Sequence, residues 1–204
     1  MSEIEIRPVS GALGAEISGV DLSRDLDEST VDQLKDAFHE NLVLFFRGQD
    51  IAPGRFLEFA GYFGEVIPYP MVKGLDDYPD IVPVLKLPHE TVNFGGIWHT
   101  DTAYLEMPPM ASLLIARELP PIGGDTLWSN MYLAYETLSD GMKRMLDGMT
   151  AVNSSAKGKA AVTREDRRKT AAKNDAGETP EAVHPVVRTH PVTGHKALYV
   201  NYGH

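Results

Sequence analysis

The stretch IWHTDTAY, residues 97–104, decides how the rest of the chain is interpreted. Its isoleucine, tryptophan, threonines and tyrosine favour extended backbone, and it lies between a Gly-Gly pair and a Pro-Pro pair, so it is predicted to be a β-strand. Side chains alternate between the two faces of a strand, which places His99 and Asp101 on the same face. An imidazole and a carboxylate on one face are two members of the two-histidine, one-carboxylate set that holds non-haem Fe(II).

A histidine and an aspartate two residues apart also occur by chance. On that alternative, the pair lies on an ordinary surface strand, or His99 is hydrogen-bonded to a nearby carboxylate. The strand context and the flanking turns, which suit the mouth of a barrel, favour the metal interpretation. The stretch itself supplies only two of the three ligands, so the third must come from elsewhere.

The 204 residues are predicted to form one domain, residues 1–204, which is long enough to bury a hydrophobic core. Hydrophobic residues make up 43% of the chain and charged residues 24%, as in ordinary soluble globular proteins. There is no cysteine, which excludes disulfides, thiolate metal sites and a cysteine nucleophile. The absence of cysteine also fits a reducing cytoplasm, where we expect the protein to reside.

The formal net charge of −10 makes the surface acidic. Such a surface repels phosphate backbones and anionic lipids, so neither nucleic acid nor a membrane is expected as a partner. The N-terminus lacks the basic region and apolar stretch of a signal peptide, and no apolar run approaches the length of a membrane span. A small anionic ligand is compatible with this charge, because the local field of a pocket can oppose the field of the whole protein.

The pattern of apolar residues predicts many short strands and a few helices. Strands are predicted at residues 3–7, 13–17, 42–46, 81–87, 97–104, 110–117, 125–128, 184–189 and 196–201. Helices are predicted after a cap at Asp27 or Ser29, from Pro53 to Gly61, and within residues 129–148. The fold class is therefore mainly β with flanking helices, as a barrel or a double-sheet jelly roll.

Two features of the chain bear on the completeness of this fold. A jelly roll ending after the strand at 196–201 would leave an apolar edge unpaired, so we expect a partner to cover it or the domain to continue beyond residue 204. Residues 157–181 are rich in Lys, Arg, Asp, Glu, Ala and Gly. They are predicted to be a mobile flap or, equally, a charged surface insertion without a role.

Two further stretches carry groups that could belong to a site. In GGDTLW, residues 123–128, the glycines permit a tight turn and Thr126 places a hydroxyl where it could donate to a carboxylate, although a plain hairpin turn would look the same. In HPVVRTHP, residues 184–191, His184 and His190 could bind a metal and Arg188 could bind a carboxylate. Each histidine precedes a proline, which favours packing at a turn instead.

Several segments, taken in order, resemble the TauD/TfdA family, the Fe(II)- and 2-oxoglutarate-dependent dioxygenases related to taurine dioxygenase. The segments are GALGAEISGVDL (11–22), VLFFRGQ (43–49), FGE (63–65), WHTD (98–101), GGDTLW (123–128) and HPVVRTHP (184–191). The resemblance implies a double-stranded β-helix, that is, a jelly roll, which is incomplete in this chain.

The resemblance also implies roles for single residues. His99 and Asp101 are implied to be iron ligands, and Thr126 to bind a carboxylate of 2-oxoglutarate. Asn93 and Tyr69 correspond to positions at the substrate site, and Tyr69 stands where the taurine enzyme has a histidine, so taurine is not the expected substrate.

The resemblance assigns structural roles to His184, Arg188 and His190. The family's distal iron-binding histidine, and the arginine that grips the far carboxylate of 2-oxoglutarate, are expected beyond residue 204.

The predicted function is an oxygenase that uses Fe(II), 2-oxoglutarate and O2 to hydroxylate a small anionic organic substrate, with release of succinate and CO2. The exposed sheet edge leads us to expect a homo-oligomer. Two alternatives stay open. One is a catalytically inactive family member that acts as a binding or assembly module. The other is a Zn(II) hydrolase, for which the sequence offers no obvious general base.

Overall fold

The structure is a computed structural model that describes residues 4–69, 72–91, 95–156 and 180–203. The described residues form α-helices and short strands in three small sheets. The helices are α1 (Glu28–Asn41), α2 (Pro53–Gly61), α3 (Met131–Glu136) and α4 (Asp140–Leu146). The strands are β1 (Glu5–Pro8), β2 (Ala15–Ser18), β3 (Leu44–Phe46), β4 (Thr150–Ser154), β5 (Glu181–Pro185), β6 (Val187–Thr189) and β7 (Lys196–Leu198).

The first sheet has the order β1-β2-β3 and carries the N-terminal core. Strands β1 and β2 are antiparallel, and β2 and β3 are parallel because α1 crosses over between them. The turn between β1 and β2 needs Gly14, whose φ is +94° and whose added Cβ would lie 2.9 Å from a methyl group of Val9. The three strands therefore form one sheet, and α1 packs against it.

Helix α1 begins at the cap Asp27, whose carboxylate accepts a hydrogen bond from the backbone N–H of Thr30 at 2.8 Å. Of the two predicted caps, Asp27 and not Ser29 is therefore used. The apolar residues of α1, which recur at helical spacing, form one face that is buried against the sheet. Leu34 on this face lies in the core with 1% of its surface exposed. The core consists of Ile4, Ile17, Leu22, Leu34, Ala37, Ile51 and Phe59.

Helix α2 has the predicted bounds and begins with Pro53, which has no N–H to leave unsatisfied at the first helical position. Its Phe59 makes edge-to-face contacts with Phe46 and Phe63. Arg55, whose side chain is 11% exposed, donates to the carbonyl oxygens of Leu22 and Arg24 and to Glu58. The guanidinium thereby ties the loop before α1 to α2.

The C-terminal part of the described chain forms two antiparallel pairs, β4-β5 and β6-β7. The predicted strand at 184–189 is split, because the chain pairs with β4 up to Pro185 and with β7 from Val187. The predicted helix within 129–148 is split as well, since the Ser139 hydroxyl accepts from the N–H of Met142 and starts α4. Asn130 caps α3 and also donates to the Ala12 carbonyl oxygen at 2.6 Å, which joins this part to the first sheet.

The strands predicted at 81–87, 97–104, 110–117 and 125–128 are wrong as regular strands. Within the described residues these segments have no ladder of backbone hydrogen bonds to a neighbouring strand. A β-strand requires a partner as well as extended backbone and suitable side chains, and local sequence supplies only the latter two. Large apolar side chains on these segments are exposed, with Leu114 at 70%, and the described residues do not close a barrel.

Part of the predicted charged insertion lies outside the described residues, namely 157–179. Its last residue, Glu181, is the first residue of β5, so the insertion is shorter than predicted at that end. In the described parts of the chain, none of the helices is long and apolar enough to cross a membrane.

Candidate metal centre

His99 and Asp101 meet directly, as the sequence predicts, but at a turn and not along a strand. His99 Nε2 lies 3.0 Å from Asp101 Oδ1, and His99 Nδ1 lies 2.7 Å from the carbonyl oxygen of Ile97. The side chains are 32% and 54% exposed, so the pair is open to solvent on one side. Both ring nitrogens therefore face oxygen atoms that can only accept hydrogen bonds.

This arrangement determines the charge state of the imidazole. A ring that faces an ionised carboxylate and a carbonyl oxygen is stabilised when both nitrogens carry protons. The pKa of His99 is accordingly raised above 6.5, first because of the hydrogen bond to Asp101, while partial burial of the ring acts in the opposite direction. Without a proton on Nε2, the lone pairs of Nε2 and Oδ1 would face each other at 3.0 Å, so a proton or a metal ion has to lie between them.

The same two atoms fit a divalent metal ion. Nitrogen and oxygen ligands lie about 2.0–2.2 Å from such an ion, and two ligands at right angles around it are then about 3 Å apart. The observed separation of 3.0 Å therefore matches a shared cation. Among the described residues no third His, Cys, Asp or Glu joins the pair.

Ser112 is a functional candidate that the sequence did not reveal. Its hydroxyl donates to Asp101 Oδ2 at 2.5 Å, the length of a charge-assisted O–H···O⁻ hydrogen bond. The two residues are 11 positions apart, and no local pattern connects a serine in one segment with an aspartate in another.

The turn that follows Asp101 is conformationally unusual. Thr102 has a φ of +49°, which few residues other than glycine adopt, and its carbonyl oxygen accepts from the N–H of Leu105 at 3.0 Å. The Leu105 carbonyl oxygen in turn accepts a hydrogen bond from His184 Nε2 at 2.9 Å. Strand β5, which carries His184, thereby holds the turn that carries Asp101.

Tyr69, the predicted substrate residue, reaches this region through Tyr104. Tyr104 is 2% exposed and lies near Tyr69. The pKa of Tyr104 is raised well above its usual value, mainly by burial, and further by the neighbouring Tyr69 and the charge of Asp101. Tyr104 therefore stays neutral, and it lies near Tyr69 in the turn that carries Asp101.

Thr126, another predicted site residue, lies on a different segment from the pair. Thr126 is exposed in an irregular segment after Gly123 and Gly124, which both have positive φ as the tight turn requires. Trp128, two residues further on, packs edge-to-face on Phe45 of β3 with 5.5 Å between ring centroids. Asn93 lies outside the described residues.

Gly203 packs against His99. A Cβ added at Gly203 would lie 2.8 Å from His99 Cβ and 3.4 Å from the Trp98 carbonyl oxygen. Real Cβ atoms essentially never approach another carbon as closely as 2.8 Å. The absence of a side chain at position 203 therefore sets the position of His99.

We expect Gly203→Ala to displace His99, to weaken divalent-metal binding about tenfold, and to lower the free energy of unfolding by about 1–3 kcal/mol. Mn²⁺ titration and urea unfolding measure the two effects. Gly11→Ala is the control, because a Cβ at Gly11 meets no atom within 4 Å. Equal Mn²⁺ affinity in the Gly203 and Gly11 variants would show that this contact does not position His99.

The contacts of His184, Arg188 and His190 agree with structural roles. His184 is buried against Tyr199, with ring centroids 5.3 Å apart, and the Arg188 guanidinium lies 4.8 Å from the centroid of the same ring. His190 Nδ1 accepts from the backbone N–H groups of Val192 and Thr193, both at 3.2 Å, and so stabilises the hairpin turn.

His190 is expected to make stability depend on pH. Its pKa lies below 6.5 because of burial and of the nearby cationic groups of His39, Arg188 and His195. The unfolded chain therefore binds a proton at a higher pH than the folded chain does. The stabilisation from neutral His190 is complete above pH 6.5 and is lost as the pH falls through the lower folded pKa.

His190→Asn retains an acceptor at the Oδ1 position but cannot titrate in this range. Urea unfolding of both proteins between about pH 8 and pH 5 should show a shallower acid loss of stability in the asparagine variant. Parallel curves for the two proteins would contradict the assignment.

The ordered sequence motifs and the fold point to one protein family. The model of the TauD, TfdA family, described as taurine catabolism dioxygenase, matches residues 5–204. The chain belongs to this family, as the ordered segments of the sequence predict.

Two relatives share the same sequence identity with this chain. The chain is 34% identical over 207 residues to an alpha-ketoglutarate-dependent sulfate ester dioxygenase of Pseudomonas putida, covering 98% of this chain and 67% of the relative. It is 34% identical over 204 residues to an alkylsulfatase of Acinetobacter baylyi, covering 98% of this chain and 63% of the relative. The chain thus spans about two thirds of the length of these relatives.

Solved structures agree on the fold. A taurine dioxygenase from Burkholderia xenovorans superimposes with a TM-score of 0.76 at 33% identity, covering 97% of this chain and 63% of that one. A second Burkholderia xenovorans structure, titled a putative alpha-ketoglutarate-dependent taurine dioxygenase, gives a TM-score of 0.77 at 29% identity, covering 98% of this chain and 66% of that one. The predicted fold class, a jelly roll with flanking helices, is confirmed by these neighbours.

Proposed function

We propose that the protein is an Fe(II)- and 2-oxoglutarate-dependent oxygenase that hydroxylates a small anionic organic substrate and releases succinate and CO2. The observation that carries the proposal is the 3.0 Å approach of His99 Nε2 and Asp101 Oδ1, both exposed on one side, in a chain of the TauD, TfdA family. Their separation suits two ligands of one metal ion, and the family supplies the type of cosubstrate.

In this proposal, the side chains of the metal centre have separate tasks. His99 and Asp101 hold the iron through Nε2 and Oδ1, while the Ile97 carbonyl oxygen fixes the imidazole through Nδ1. Iron and 2-oxoglutarate, when bound, supply the activation of O2 and the oxidising equivalents. Before metal binds, the Nε2 proton of His99 has to leave, because the metal replaces it beside Oδ1.

The surroundings of the pair bind and shield the organic ligands in this proposal. Thr126, whose side chain is exposed, donates its hydroxyl to a carboxylate of 2-oxoglutarate. Tyr69 and Asn93 contact the substrate. Tyr104, buried near Asp101 and Tyr69, keeps water from this side of the pair.

The proposed substrates are alkyl sulfate esters or sulfonates. Two relatives at 34% identity are named a sulfate ester dioxygenase and an alkylsulfatase, and a yeast relative at 28% identity is named a sulfonate dioxygenase. A protein with a net charge of −10 has to bind such an anion through local donors. Hydroxyl and amide groups such as those of Tyr69 and Asn93 can donate to sulfate oxygens without adding positive charge to the surface.

The proposal is tested by turnover. The protein is incubated with Fe(II), ascorbate, 2-oxoglutarate and each member of a panel of alkyl sulfates, alkyl sulfonates and aryloxy acids, and succinate is measured. We expect succinate release that depends on Fe(II) and is stimulated by sulfate esters. Succinate release unchanged by omitting iron or by replacing it with Zn(II) would overturn the proposal.

A binding or assembly role without turnover is the second candidate. It is favoured by the observation that, among the described residues, the pair lacks a third ligand. This candidate predicts that 2-oxoglutarate or an alkyl sulfate binds without succinate release, which isothermal titration calorimetry and the turnover assay distinguish together.

We also propose that the protein is cytoplasmic and assembles with itself. The chain has no cysteine, which suits a reducing compartment. Exposed apolar side chains such as Ile122 and Trp98 provide surface that self-association would bury. Light scattering after gel filtration determines the oligomeric state, and a monomer at all concentrations would contradict the second part.

A further inference from the structure

We propose that Ser112 is a positioning residue for the metal-binding carboxylate of Asp101. This inference rests on the proposed function, since it concerns the same metal centre. Ser112 Oγ donates to Asp101 Oδ2 at 2.5 Å, while Oδ1 faces His99 Nε2 at 3.0 Å. The two oxygens of one carboxylate are therefore used for different purposes.

The hydrogen bond from Ser112 orients the carboxylate and also limits how it binds metal. A short hydrogen bond to an ionised oxygen is strong and directional. Because Oδ2 accepts the Ser112 hydrogen bond, binding of an ion through Oδ1 alone is favoured. Single-oxygen binding leaves more coordination positions around the ion for the organic ligands than binding through both oxygens would.

His99 has an equivalent arrangement. The Ile97 carbonyl oxygen accepts from His99 Nδ1 at 2.7 Å, which leaves Nε2 as the atom that faces Asp101. Each of the two ligands thus has one polar atom held by a neighbour and the other directed at the shared position. Outer partners of this type fix the orientation of metal ligands and strengthen metal binding.

The segment that carries Ser112 is anchored in the N-terminal core. Leu113 and Ile115 are partly buried and pack against the core cluster that contains Leu34 and Phe59. Burial alternates along this extended segment, so Ser112 is exposed on the side opposite Leu113. The core therefore holds the serine hydroxyl in place beside Asp101, although the residue itself lies at the surface.

The test compares Mn²⁺ affinity, measured by electron paramagnetic resonance, in the wild type and four variants. Ser112→Ala removes the hydroxyl and is expected to weaken Mn²⁺ binding about 10- to 100-fold. Ser112→Thr retains the hydroxyl and should stay within about threefold of the wild type. Asp101→Ala defines the affinity without the carboxylate ligand.

Ser23→Ala is the matched control. Ser23 Oγ donates to Asp21 Oδ1 at 2.6 Å, a bond of the same kind and length at a distant surface position. Its Mn²⁺ affinity should equal that of the wild type. Thermal unfolding of every variant shows whether the fold is retained, and a loss of affinity that threonine restores in a folded protein cannot come from a general structural defect.

The outcomes distinguish failure of the metal centre from failure of the role of Ser112. If the wild type binds Mn²⁺ no better than Asp101→Ala does, the metal centre and the proposed function are both wrong. If the wild type binds better than Asp101→Ala but Ser112→Ala binds as well as the wild type, only the role of Ser112 is overturned. The positioning role is supported if Ser112→Ala weakens Mn²⁺ binding while Ser112→Thr and Ser23→Ala both bind Mn²⁺ as the wild type does.

Discussion

His99→Ala is expected to abolish iron-dependent succinate release and to lower divalent-metal affinity by more than about 100-fold. The reason is that His99 provides one of the two described donors, and its Nε2 lies 3.0 Å from the other donor, Asp101 Oδ1. Loss of a side chain that merely orients a metal ligand costs about 10- to 100-fold in affinity, so loss of the ligand itself should cost more. Mn²⁺ binding and succinate release are measured on the same preparation.

His195→Ala serves as the control for this result. His195 lies on the hairpin that precedes β7, where its ring contacts Tyr132 with centroids 5.2 Å apart. Its removal takes away an imidazole of the same chemistry from a position that has no part in the proposed site. Turnover retained in His99→Ala, or lost equally in both variants, would contradict the assignment of His99 as a ligand.

Leu34→Ala should lower the free energy of unfolding by about 2–5 kcal/mol. Leu34 is 1% exposed, is the largest fully buried side chain in the described residues, and lies in the core between α1 and the first sheet. Its truncation removes apolar contacts and leaves a cavity that close-packed neighbours fill only in part. Urea unfolding followed by circular dichroism measures the change.

The matched control for this effect is Leu114→Ala, because Leu114 is 70% exposed. We expect that variant to differ from the wild type by no more than about 0.5 kcal/mol. A loss of stability at Leu114 as large as at Leu34 would mean that position 114 is buried in solution, for instance by self-association. Below its unfolding temperature, Leu34→Ala should retain metal affinity, since Leu34 does not touch the metal-binding pair.

Local signals in the sequence were sufficient for the helices of the N-terminal part. The spacing of Val31 and Leu34, with Asp27 as a cap, predicts α1, and Pro53 marks the first residue of α2. These signals work because helix hydrogen bonds join residues four apart, so all the information lies in one segment. The later strands were predicted less well, since their existence depends on neighbours that are distant in the chain.

In the candidate site too, some features follow from local sequence and others depend on segments that are distant in the chain. The pairing of His99 with Asp101 follows from their closeness in sequence, and it survives although the predicted strand is a turn. Ser112, Tyr104 and Gly203 were not predicted as parts of the site. Ser112 and Tyr104 contribute through contacts with residues of other segments, and Gly203 contributes by leaving space for His99. A local sequence pattern does not reveal such contributions.

The sequence alone therefore determined the class of protein and indicated the two candidate donor residues, because ordered motifs and short-range spacing are properties of the chain itself. The tertiary structure alone decided which atom of each candidate donor faces the other. Ser112 occupies one oxygen of Asp101, and the Ile97 carbonyl oxygen occupies one nitrogen of His99. A hydrogen bond across 11 residues forms only when the packed core brings both segments together. The stretch at 97–104 therefore contains the candidate ligands, and the fold orients them.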